Sequence, residues 1–335
     1  KEHEAYCQPC LSPVWDTGLT LLALQEADLT ATNSSRERAY DWLKTKQLSD
    51  EPGDWRIQRP NLDGGGWAFQ FENPHYPDVD DTAVVAYGKA TSGLPGMDES
   101  IHRATRWIVG MQDGNGGYGA FDVDNTHYYL NEIPFADHGA LLDPPTADVS
   151  ARCLMLMAKV AQDHDEYLPA YNRCLDYIRN GQEEDGSWFG RWGTNYIYGV
   201  WSVLIALEHT ATAKDDPMYT KAVAWLKSMQ HDDGGWGEDN QSYHDASKRG
   251  KFHTSTAFQT AWATIALMAA GEHESKEVQA GIDYLLKQQN KDGLWTDNCH
   301  TAPGFPRVFY LKYHGYDKFF PLWALARYSN EQRNK

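Results

Sequence analysis

One short phrase recurs along the chain at fixed spacing, and it limits what the chain can fold into. Arg103-x-x-x-Trp107 leads to Gln112 and then Gly116-Gly117-Tyr118. Arg173-x-x-x-Tyr177 leads to Gln182 and Gly186-Ser187-Trp188, and Lys221-x-x-x-Trp225 to Gln230 and Gly234-Gly235-Trp236. Ala280-x-x-x-Tyr284 leads to Gln289 and Gly293-Leu294-Trp295. In all four copies the Gln follows the first aromatic by five positions and precedes the closing aromatic by six. A fifth copy, Arg38-x-x-x-Trp42 to Gln47, reaches Gly65-Gly66-Trp67 only after an insertion. Such periodicity is the mark of stacked supersecondary units. Each Gln is read as ending a helix and each Gly as the turn that leaves it, since Gly accepts φ > 0. The Gln side chain can tie that helix end to a neighbouring backbone, with the closing aromatic stacked over it. The repeat aromatics are therefore read as structural.

Between these units lies a second, more apolar helix type, starting near Trp15, Asp80, Asp148, Asn195, Phe258 and Phe319. Val200–Leu207 and Thr260–Leu267 are apolar nearly all round, as in a helix buried on both sides. They are too long for strands and lack alternation of period two. Two alternating helix types predict an all-α fold: a single α/α barrel domain over 1–335, with an apolar inner ring and an amphipathic outer ring. The count is six inner and five outer helices, one short of a six-by-two barrel. The twelfth is expected from sequence ahead of Lys1, because the chain opens Lys1-Glu2-His3-Glu4 without Met. Loops entering the inner helices open on one end of such a barrel. Asp78, Asp80, Asp81, Asp148, Arg152, Trp192, Tyr196 and Tyr198 should therefore converge on one mouth.

The chemistry is concentrated in Pro77-Asp78-Val79-Asp80-Asp81-Thr82, where three carboxylates fall within four residues. The ordinary reading is an Asp-rich helix start, capping free N–H groups and favoured by the dipole. If buried, such acids cannot all ionise cheaply, and one retains its proton. A net charge of −17 argues against nucleic acid, which needs a basic footprint. No run approaches the roughly 18 apolar residues of a membrane-spanning helix, and no signal peptide is visible, which leaves peripheral membrane contact open. Five cysteines fit a reducing compartment. Cys7-Gln8-Pro9-Cys10 has no second pair at zinc-site distance, and the sequon Asn33-Ser34-Ser35 is read as chance. Neither a metal nor a cofactor is expected.

The acid segment and the Gln–Trp repeats together resemble the squalene–hopene cyclases, bacterial class II triterpene cyclases. The likeness extends through Ser12-Pro13-Val14-Trp15-Asp16-Thr17-Gly18, Gly65-Gly66-Trp67-Ala68-Phe69-Gln70-Phe71 and Asp122-Val123-Asp124-Asn125-Thr126. It continues through Gly186-Ser187-Trp188-Phe189-Gly190-Arg191-Trp192-Gly193 and Gly304-Phe305-Pro306, covering nearly the whole chain. The resemblance implies protonation of a terminal alkene of squalene, a carbocation cascade, and release of hopene by proton loss or hopanol by water capture. It places the proton donor on Asp80, with Asp78 and Asp81 anionic and holding neighbouring cations. One departure touches that acid. Better-known members carry His four residues after the Asp of a P-P-x-x-D-V segment, whereas Pro144-Pro145-Thr146-Ala147-Asp148-Val149 leads to Arg152. Arg152 either steadies the catalytic carboxylate or bridges Asp78 or Asp148 structurally.

The resemblance further places the substrate wall at Trp15, Phe69, Phe121, Trp192, Tyr198, Phe305, Phe309, Tyr313 and Tyr316, where aromatic faces stabilise cations. Phe121 stands where the family often has Tyr. Phe135, in Phe135-Ala136-Asp137, falls at the substrate entry. Family members are about twice this length, with a second barrel supplied mainly by the N-terminal half and the cavity between the two. The implied setting is peripheral, on the cytoplasmic face of the cell membrane, with squalene as substrate and a homodimer as a possible assembly. Other readings are a class II cyclase of another polyprene or a diterpene diphosphate, and a non-catalytic helical-barrel binding module. Protein prenyltransferase β-subunits share the barrel and similar Gly–aromatic repeats but need a zinc Asp/Cys/His set, which zinc analysis would reveal. No D-D-x-x-D magnesium motif and no C-G-E-Q thioester sequence is present.

Overall fold

The apolar runs predicted as an inner ring are helices packed in a closed cycle. The computed structural model describes residues 10–134, 141–300 and 302–333. Six of its helices form the ring: α1 (Pro13–Ala27), α4 (Val79–Thr91), α6 (Ala147–Val160), α8 (Tyr196–Leu207), α10 (Ala257–Ala269) and α12 (Tyr316–Arg333). Each packs on the next, and α12 returns onto α1. Outside them lie α2 (Asn33–Thr45), α5 (Asp98–Gly110), α7 (Leu168–Asn180), α9 (Pro217–Ser228) and α11 (Lys276–Gln288). One further short helix, α3 (Trp55–Gln58), sits in the insertion of the first repeat and does not take the sixth outer place. Among the described residues, six inner and five outer helices therefore stand as counted from the sequence.

Why the inner helices start where they do is chemical. Ser12 caps α1, accepting from Trp15 N at 2.8 Å, and Pro13 follows at the first helical position, where its missing N–H costs nothing. Asp78 caps α4 and Thr256 caps α10. The buried Glu238 accepts from Asn195 N and Ile197 N at the start of α8. Below these starts the barrel interior is filled by rings: Trp201 stacks on Trp262 at 5.8 Å, and Phe320 stands edge-on to both.

The repeats act as seams between units. Gln112 Nε2 donates to Gly116 O and to Ala170 O in the first turn of the next outer helix, both at 2.9 Å. Gln182 reaches Gly186 and Met218, Gln230 reaches Gly234 and Glu277, and Gln47 reaches Gly65 and Ser100. The fifth copy thus closes like the others despite its insertion. Gly116 has φ +92°, and a Cβ there would lie 2.5 Å from Arg173 O, so the approach of the next helix itself demands glycine. The closing Trp does more than stack: Trp188, Trp236 and Trp295 each donate Nε1–H to a carbonyl of their own outer helix, Ile178, Leu226 and Leu285. Tyr118 lacks that indole and donates instead to Met157 Sδ at 3.7 Å. Gln289 donates to Gly293 at 2.9 Å.

Two antiparallel ribbons were not foreseen: β1 (Trp67–Ala68) with β2 (Pro77–Asp78), and β3 (Ala302–Phe305) with β4 (Phe309–Leu311). Both are too short to show alternation in sequence. Among the described residues no helix is long and apolar enough to cross a membrane. Cys7 lies outside the described residues, and Cys153, Cys174 and Cys299 are free thiols.

Gln112→Ala removes two buried hydrogen bonds and the one Gln112 accepts from Arg173, and strands the Gly116 carbonyl, so it is expected to cost about 2 kcal/mol or more. Gln289→Ala, at an exposed seam with one such bond, should cost less than about 1 kcal/mol. Urea unfolding of both variants measures the difference.

Candidate active site

The acid triplet occupies the first turn of α4, and its local geometry follows from the helix start. Asp78 Oδ1 accepts from Asp80 N at 2.7 Å and from Asp81 N at 3.1 Å, which makes Asp78 the helix cap anticipated as the ordinary reading. Ser12 Oγ donates to Asp81 Oδ1 at 3.3 Å, joining α1 to the triplet. All three acids are buried, and all three line one cavity of about 510 Å³. Asp80 Oδ1 lies 3.2 Å from Arg152 Nη1.

Arg152, itself only 3% exposed, settles which partner it takes. Its guanidinium faces Asp80, donates to Asp148 O at 2.9 Å and donates to the Tyr198 hydroxyl. Asp148 uses its own carboxylate elsewhere, accepting from Arg191 N and Trp192 N at 3.0 and 2.9 Å. Three rings surround the cation: Trp15 at 5.3 Å, Tyr198 at 5.0 Å and Trp201 at 5.4 Å. Burial alone would lower its proton affinity, but Asp80, Tyr198 and Asp148 more than offset that, and Arg152 stays charged.

Burial lifts Asp80 to about 7, against the pull of Arg152 and with a further push from Asp148. Asp78 and Asp81 are also driven well above the usual carboxylate range, by burial first and by their carboxylate neighbours second. The resemblance placed the neighbouring cations on Asp78 and Asp81, whereas Arg152 pairs with Asp80. The cation paired with the triplet belongs to Asp80, and the three acids share protons as one coupled group.

Around this group the structure brings together Trp15, Phe69, Phe121, Trp192, Tyr198, Phe305, Tyr313 and Tyr316 as cavity walls. Trp15 Nε1 donates to the Tyr316 hydroxyl at 2.9 Å, Phe121 stands edge-on to Trp192 at 6.2 Å, and Phe69 to Tyr313 at 6.5 Å. Phe309 is not among the walls. It lies behind Phe305, 5.4 Å between ring centres, and its ring is so close to Gly304 that a Cβ there would fall 2.1 Å from it. Tyr196 also misses the cavity, packing on Phe189 and under Arg249. Phe135 lies outside the described residues.

Two acids that act on the triplet escaped the sequence reading. Asp143 lines the cavity, and its Oδ2 accepts from Phe121 N at 2.6 Å and Asp122 N at 3.0 Å, holding the loop that carries Phe121. Its position just before Pro144-Pro145 was the available signal. Asp16, next to Trp15, is lifted to about 6 by burial and adds to the push on Asp81.

Residues 11–330 match the family described as the squalene–hopene cyclase C-terminal domain. The chain belongs to that family. It is 53% identical over 98% of its length to a squalene–hopene cyclase of Bradyrhizobium diazoefficiens, covering 50% of that protein. It is 52% identical over its whole length to one of the yeast Schizosaccharomyces japonicus, covering 52% of it. The chain thus spans about half the length of the curated relatives it matches, and the family is not confined to bacteria. The fold is shared with the type II terpene cyclase MstE of Scytonema, with a TM-score of 0.65, 19% identity, and 96% and 89% of the two chains covered.

For a carboxyl raised from its unfolded value near 4 to about 7, both states are protonated at low pH, and only the folded state keeps its proton between those values. Stability is therefore lost as pH rises from about 4 to 7, and the loss is complete above about 7. Asp80→Asn is expected to flatten this slope by up to about 4 kcal/mol across the window. Denaturant midpoints at pH 4, 5.5, 7 and 8.5 test it.

Proposed function

We propose that this chain is the acid-bearing half of a triterpene cyclase that protonates a terminal alkene of squalene and guides the resulting carbocations to hopene and hopanol. The observation that carries this reading is Asp80, buried against Arg152 on the wall of an aromatic cavity. The relatives' names support the substrate, and the cavity chemistry supports the reaction class.

In the first step the Asp80 hydroxyl proton forms a C–H bond with one alkene carbon, using the π electron pair. The other carbon becomes a tertiary cation, and the carboxyl electrons stay on Asp80. The conjugate base is stabilised in advance by Arg152 and by the N-terminus of α4. Each later cation is attacked by the next alkene, while Trp15, Tyr198, Tyr316 and Phe305 present electron-rich faces. Loss of a proton ends the cascade as hopene; capture of water ends it as hopanol. Because Arg152 is permanently charged, the acid's own titration governs turnover, which falls as pH rises through about 7.

A diphosphate substrate fits poorly. Among the described residues every charged side chain lining the cavity is an acid: Asp54, Asp78, Asp80, Asp81, Asp122 and Asp143. Peripheral contact with a membrane on its cytoplasmic face is part of the same proposal, since squalene partitions into lipid. It is supported by exposed Tyr76 on the cavity wall and exposed Phe71 beside Gln70.

Incubation of the chain with squalene in detergent, followed by gas chromatography–mass spectrometry, tests the reading. Asp80→Asn should lower product by about 10²–10⁴-fold with the fold retained. Turnover near the wild-type rate in that variant would sink the assignment of the acid.

A further inference from the structure

Among the groups touching the acid triplet, one hydroxyl has no part in the mechanism above. Ser12 is 2% exposed and occupies a single well-defined place between α1 and α4. It accepts from Trp15 N at 2.8 Å, and its own proton is directed to Asp81 Oδ1 at 3.3 Å. Asp78 is favoured in its charged form by two backbone N–H donors, and Asp81 by this one hydroxyl. Asp80 has the Arg152 guanidinium alongside at 3.2 Å. Three acids compete for protons in one buried volume, so a donor committed to one of them biases where a shared proton rests.

We propose that Ser12 is a positioning residue that weakens Asp81's hold on the triplet's shared proton and so favours Asp80 as its site. The proposal rests on the reading of Asp80 as the alkene-protonating acid and adds what determines its protonation. Ser12 acts at a second place through the same contacts. The N–H it accepts belongs to Trp15, whose ring lies on Arg152 and whose indole holds Tyr316, so the proton bias and the cavity wall are set by one helix cap.

The groups facing Asp81 make this bias necessary. Asp78 and Asp80 flank it on its own turn, and Asp16 on α1 adds a third acid. From the segment ahead of α12, the Tyr313 hydroxyl lies within electrostatic reach of Asp81 and Asp16. On α6, Arg152 and Asp148 act on Asp80 rather than on Asp81. Asp143, ahead of α6, adds repulsion at Asp78. With carboxyls on its own turn and on α1, Asp81 would take up the shared proton if its one hydroxyl donor were lost.

The test is a carboxyl ¹³C titration of the aspartate-labelled chain, with resonances assigned from Asp80→Asn and Asp81→Asn. Ser12→Ala should leave Asp81 protonated to a pH about one unit higher than in the wild type. Ser12→Thr, which keeps the hydroxyl, should restore the original titration. Should Ser12→Ala fold poorly, Ser12→Gly lacks the hydroxyl but is tolerated at a helix cap, and it should behave as the alanine variant. In squalene turnover the high-pH limb of Ser12→Ala should move to lower pH, which loss of a helix cap alone would not produce. An Asp81 titration unchanged by loss of the hydroxyl, or an Asp81 already protonated throughout in the wild type, would overturn the proposal. Persistent turnover in Asp80→Asn together with a normal Asp81 response to Ser12 would instead sink the acid reading and leave the hydrogen bond standing.

Discussion

The Gln amide at each seam is the interaction on which the remaining architecture depends. One –NH₂ group has two donors, and at four seams they go to the carbonyl of the Gly turn and to the first turn of the next outer helix. That single group sets both the exit of one unit and the position of the next. The indole N–H groups of Trp188, Trp236 and Trp295 then fasten each turn to its own outer helix. With outer helices placed in this way, the apolar inner helices have one arrangement that buries them on both sides, and the ring closes.

Closure of the ring is what turns an ordinary helix start into an acid site. The N-termini of six inner helices come to one end, where their free N–H groups favour negative charge. Three of those starts are met by a single side chain: Ser12, Thr256 and the carboxylate of Glu238. At α4 three acids share the place, and all three are buried at the wall of the aromatic cavity. Desolvation outweighs dipole and hydrogen bonds there, so the proton affinity rises. Arg152 offsets the rise at Asp80 alone, and the three rings stacked around it make such a charge tolerable in that interior.

Much of this was legible in the chain. The repeat spacing located all five seams, including the copy broken by an insertion, because its residues are used locally and at constant distance. The inner helices were found from apolar runs, since a helix buried on both sides has little else to be made of. Eight of the nine wall residues carried over from the resemblance reach the cavity. Phe309 and Tyr196 did not follow, because whether an aromatic on a ribbon or a first turn faces the cavity depends on a rotation of one residue. Asp143 was missed for a related reason: its role is to hold the Phe121 loop, a contact made across more than twenty residues of sequence.

The sequence by itself determined the helix types, their alternation and the presence of three acids at one helix start, because spacing and apolar periodicity are properties of short segments. Only the tertiary structure decided which partner Arg152 takes, that Asp78 and Asp81 are buried beside Asp80, and that Ser12 on α1 touches Asp81. Those outcomes depend on how deeply each group is desolvated and on which side chains meet across the ring. Both are set by packing between segments far apart in the chain.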